Sequence, residues 1–175
     1  MRRPALIGTA LFCGAMAVLL FLRLLPLSAG SVGMPGPDLG LCLTLAWVLR
    51  RPDQLAAPVI ALVFVLQDIL LFYPLGLWAA VVVIGSETAR LRESRWRDAP
   101  FMIEWLRIAI LVGLMMLAYR ILQVLFMMPV PALGQTILHL IATVAAYPLV
   151  VLGARLLIGL RRVSPADAEQ MRFVR

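Results

Sequence analysis

Apolar and polar positions along this chain neither alternate in twos nor repeat at a helical period; they are blocked. Six apolar segments stand out, at residues 6–22, 39–49, 55–72, 75–89, 103–126 and 133–160, each bounded by charge, proline or glycine. Blocks of this kind predict helices that are apolar all round, which belong in a bilayer or a deep core. A helix needs about 20 residues to cross a hydrocarbon layer of about 30 Å, so the second segment and the fourth are short. Gly33, Pro35, Gly36 and Pro37 stop the first helix from running into the second, Pro74 and Gly76 open the fourth, and Pro129 and Pro131 bracket the last turn. Pro148 inside the sixth segment predicts a kink. The expected architecture is all-α: a polytopic integral membrane protein with six transmembrane helices over residues 1–163 and a cytoplasmic tail over 164–175. Ser164, Pro165 and Asp167 form a helix-start pattern in that tail.

Composition agrees. The 175 residues are 63% hydrophobic and 14% charged, against about 45–50% and about 25% in soluble domains. Six spans leave no room for a grafted soluble catalytic domain. The formal charge of +7 raises the question of a polyanionic partner, but every basic residue is an arginine beside an apolar block, without a basic stripe and interleaved aromatics. No nucleic acid partner is expected.

The arginines carry topology instead. Arg2 and Arg3 precede the first segment, Arg50 and Arg51 separate the second from the third, and Arg90, Arg92, Arg95 and Arg97 separate the fourth from the fifth. Arg161, Arg162, Arg172 and Arg175 follow the sixth. The three remaining connections hold no arginine. By the positive-inside rule both termini are cytoplasmic and the chain crosses six times. No small-residue cleavage site follows the N-terminal arginines, so the first helix is expected to be retained. Cys13 and Cys42 lie inside apolar blocks without metal-ligand spacing and read as small hydrophobes.

Few polar groups interrupt the apolar blocks, and each is costly in hydrocarbon. Asp68 is the most informative, since its side chain is too short to snorkel far. Arg23 and Arg120 lie toward the same side and either can pair with it. Three roles stay open for Asp68: a structural pair or a protonated carboxyl, a contact with a partner helix, or a proton or ion site. Glu104 precedes Arg107 by one helical turn, where the two can satisfy each other. His139, the single histidine, is expected to hydrogen-bond to a neighbouring helix. No nucleophile–base set, phosphate-cradling loop or paired carboxylates appear; no enzyme, cofactor or metal site is expected.

The order of features from Gly36 to Ala79 resembles the MreD rod shape-determining family of bacterial inner membrane proteins. Pro37-Asp38 opens the second segment where that family carries proline followed by Asp or Asn. The run Trp47-Val48-Leu49-Arg50-Arg51 ends it before a short turn, and Asp68 followed by Leu75-Gly76 matches the family's intramembrane acid and Leu-Gly entry to the next span. A basic residue often precedes the proline in the family; here it is Gly36. The resemblance implies a non-enzymatic scaffold of the cell-elongation complex. Such a scaffold binds MreC and acts with MreB, RodA and a penicillin-binding transpeptidase to control lateral peptidoglycan synthesis and cell shape. It also implies a fold similar to the substrate-binding subunits of energy-coupling-factor transporters, which keeps open a second role as the small-solute subunit of a vitamin-type transporter. For the scaffold, Asp38 and Asp68 are the candidate polar site, with Arg23 and Arg120 as candidate counter-charges.

Overall fold

The computed structural model describes residues 2–25, 36–92 and 100–157. Among these residues the chain is all-helical, with no strand. The helices are α1 (Arg2–Leu24), α2 (Leu39–Arg50), α3 (Ala57–Leu70), α4 (Leu77–Leu91), α5 (Phe101–Leu125) and α6 (Leu133–Leu157), with a 3-10 turn at Pro52–Gln54. Each apolar block therefore contains one helix, offset by a few residues at its ends. The tail at 164–175, Arg95 and Arg97 lie outside the described residues, as do Gly33 and Pro35.

By length and composition, three helices can cross a membrane: Leu6–Leu24, Phe101–Leu125 and Leu133–Leu156. Helices α2 and α3 are apolar but shorter. Leu11, Val18 and Phe21 on α1, Ile110, Leu114 and Ile121 on α5, and Ile141, Leu149 and Leu152 on α6 all face outward. An apolar exterior on this scale is a liability in water and fits contact with lipid. α6 runs unbroken through Pro148, losing at most the one hydrogen bond that the ring cannot donate.

The shortest α-helix is also the most enclosed. Every residue of α2 from Gly40 to Arg50 is buried, against α6, α4 and α1. The remaining helices stack in sequence, with α3 on α4, α4 on α5 and α5 on α6. Along its N-terminal half α1 is fastened at two places. Phe12 meets Trp47 edge-on with ring centroids 5.6 Å apart. Farther toward its N-terminus Thr9 Oγ1 donates to the Gln54 carbonyl at 2.6 Å, and a Cβ on Gly8 would lie 2.4 Å from Gln54 Oε1. Gly8 is small because the 3-10 turn presses against α1 there.

A buried polar cluster pins the end of α2. Arg50 Nη1 lies 3.2 Å from Glu104 Oε1 and donates to the Ala46 carbonyl at 3.2 Å. Tyr147 donates its hydroxyl to the same Glu104 oxygen at 2.7 Å. Arg50 thus turns inward instead of joining Arg51 at the surface, and Glu104 reaches across to α2 and α6 instead of serving its own helix alone. The cluster joins three helices at one level.

Candidate functional site

At the opposite end of the bundle, residues 36–38, 72–74 and 128–131 come together around an open cavity of about 750 Å³. These belong to the three arginine-free connections. Two carboxylates organise this end, both by capping helices.

Asp38 is the N-cap of α2, its Oδ1 accepting the Leu41 N–H at 3.0 Å. Its own N–H donates to Thr143 Oγ1 of α6 at 3.1 Å, and Cys42 Sγ donates to the Thr143 carbonyl at 3.3 Å. Pro37, which carries no N–H, leaves Asp38 to make these contacts. Arg23 Nη1 lies 3.9 Å from Asp38 Oδ1 and Nη2 donates to the Tyr73 hydroxyl at 3.4 Å, linking the end of α1 to the α2 start and the α3–α4 turn.

Asp68 does more with one oxygen. Helix α4 begins at Gly76, which sits at φ 76° and offers no side chain to cap the free N–H groups of the first turn. Asp68 Oδ2, fully buried, accepts the Gly76 N–H at 3.0 Å and the Ala79 N–H at 3.3 Å. In a capping box two different residues supply these acceptors, one for the cap N–H and one three residues on. Here a carboxyl group from the preceding helix supplies both through one oxygen, at the positive end of the α4 dipole. The Asp68 carbonyl also accepts the Tyr73 N–H at 2.8 Å, closing α3. One residue therefore ends a helix and starts the next.

Neither expected counter-charge reaches Asp68. Arg23 is engaged by Asp38, while Arg120 Nη1 donates to the Pro131 carbonyl at 2.8 Å and to Thr136 Oγ1 at 3.2 Å. Of the four candidate residues, Arg23, Asp38 and Arg120 line the cavity together, and Asp68 stands behind its wall. His139 also lines it; its Nδ1 is 2.8 Å from the Gly36 carbonyl, a partner on the segment leading into α2 rather than on a helix. The apolar wall was not legible as such: Trp78 and Tyr119 meet edge-on at 5.1 Å, beside Met116. Tyr119 and Met116 sit one turn apart on α5 with Gln123 a turn further, a spacing that marks one helix face without saying what it encloses.

Two turns at this end carry the same backbone device. Phe72 (φ 55°) and Met127 (φ 53°) are left-handed. The residue after each donates to the carbonyl five residues back, Tyr73 to Asp68 and Met128 to Gln123, both at 2.8 Å. This is the Schellman closure, normally built on glycine. Both side chains are 95% exposed.

No family model, curated protein or solved structure matches the chain.

Proposed function

We propose that this chain is a six-pass membrane scaffold of the bacterial elongation complex, an MreD-like partner of MreC acting with MreB, RodA and a penicillin-binding transpeptidase. The observation that carries the reading is the coupling between Asp68 and Gly76. The two halves of one anchor of the resemblance, the intramembrane acid and the Leu-Gly entry, are acceptor and donor of one hydrogen bond, Gly76 N–H donating to Asp68 Oδ2, so the motif has a physical reason to occur as a unit. The arginine pattern supports a bacterial inner-membrane location with both termini in the cytoplasm; in that orientation the cavity opens at the outer face. The lipid-facing sides of α1, α5 and α6 offer helix-length apolar surface to a single-pass partner.

The test is a pull-down of the tagged chain from membranes together with its depletion. MreC copurifies and depleted cells round up; recovery without MreC from cells that keep their rod shape would overturn the assignment.

A second reading, the substrate-binding membrane subunit of a small-solute transporter, is favoured by the cavity, whose volume lies within the roughly 300–1,000 Å³ typical of small-molecule sites. It predicts a small molecule carried through purification and normal cell shape after depletion.

A further inference from the structure

The cavity has a charge imbalance and a two-sided wall. Its charged lining consists of Arg23, Asp38 and Arg120, two positive groups against one negative. Asp38 accounts for Arg23 at 3.9 Å. Arg120 meets only neutral acceptors, the Pro131 carbonyl and the Thr136 hydroxyl, both through Nη1. A guanidinium carries five donors in a planar fork, so Nη2 and Nε are left without a partner among the described residues. Asp68 is not part of the lining; its Oδ2 is held by the α4 N–H groups and it forms no ion pair with Arg120 among the described residues. Around Arg120 the wall is apolar and aromatic, with Trp78, Tyr119 and Met116.

We infer that this cavity binds an amphipathic anion, one negatively charged group seated on Arg120 with an attached apolar portion against Trp78 and Met116. The planar fork of arginine matches a carboxylate or phosphate oxygen pair, and such charge-assisted pairs are about twice as strong as neutral hydrogen bonds. The aromatic wall selects against a bare inorganic anion, which would leave apolar surface wet. A phospholipid of the surrounding leaflet and a free amphipathic acid share this chemistry. The inference names a ligand class for the second reading and requires no transport; a lipid held by a scaffold satisfies it equally, and its failure leaves the MreC pull-down unaffected.

Native mass spectrometry of the full-length protein in detergent tests it, with four probes: dihexanoyl phosphatidylglycerol, dihexanoyl phosphatidylcholine, decanoate and glycerol phosphate. One molecule of phosphatidylglycerol is retained if the source is lipid, or one of decanoate if it is a free acid. In either case Arg120→Gln lowers affinity about tenfold, the loss of one charge-assisted contact. Because Arg120 also braces the α5–α6 turn, Gln135→Trp provides a second variant. Gln135 is exposed and lines the cavity, so a bulky ring there fills the space and abolishes retention without removing a bond. Equal retention of phosphatidylcholine, glycerol phosphate bound as well as phosphatidylglycerol, no retained anionic probe, or indifference to both variants would each overturn the inference.

Discussion

Asp68 separates two properties of a carboxylate that are usually lost together, its acceptor oxygen and its charge. Asp68→Ala strands the Gly76 and Ala79 N–H groups in an apolar setting and is expected to cost about 2 kcal/mol or more. Asp68→Asn keeps an acceptor oxygen and forfeits mainly the dipole contribution, up to about 1 kcal/mol. Reversible unfolding in mixed micelles reads the difference; equal losses in the two variants would show that the charge is what matters. Phe72 and Met127 offer the opposite case, residues whose removal helps. A left-handed non-glycine residue costs roughly 1–2 kcal/mol, and side chains that are 95% exposed contribute no packing within the chain, so Phe72→Gly and Met127→Gly should each raise stability by about 1 kcal/mol. The depth and isolation of Asp68 were legible in the sequence, but its partner was not. Counter-charges are side chains, whereas the groups that meet Asp68 Oδ2 are backbone N–H donors of the next helix, and Oδ1 is buried without a hydrogen-bond partner among the described residues.

At the scale of elements, hydropathy located all the described α-helices because an apolar block has the same signature wherever it packs. It could not rank them by burial. The 12 residues of α2 look like the weakest span and prove the most enclosed. An arginine at a helix end likewise reads the same whether it snorkels to headgroups or turns inward, so the pairing of Arg50 with Glu104, contributed by another helix, escaped notice. That pairing makes a definite expectation. Arg50→Met alone takes from a buried carboxylate the guanidinium that lies 3.2 Å from it and should cost about 3 kcal/mol. Combining it with Glu104→Met and Tyr147→Phe removes every member of the cluster, and most of the loss should return. A combined variant as unstable as Arg50→Met would mean that the ion pair itself, rather than the stranded charge, supplies the stability.

For the whole molecule, the decisive expectation concerns sidedness. In a background with Cys13 and Cys42 replaced by alanine, a cysteine at Pro129 should react with an impermeant maleimide from outside intact spheroplasts. One at Asp53 should react only after lysis; the reverse labelling pattern would overturn the orientation, and the same pattern at both positions would overturn the six-crossing arrangement. The arginine placement does group the three connections that meet at the cavity, since none of them holds an arginine. The cavity between them was not legible. It is lined by residues from six different stretches of chain, and no local pattern announces a space that exists only once they meet.

The enclosure of α2 also bears on how the protein is made. At about 1.5 Å per residue α2 extends roughly 18 Å, well short of the hydrocarbon thickness of about 30 Å, so it is a poor segment to enter lipid by itself. Of its three walls only α1 precedes it; α4 and α6 are synthesised after it, with α6 the last of the described helices. During synthesis α2 must therefore wait, sheltered by the insertion machinery or held at the interface, until the C-terminal helix arrives to close the bundle around it.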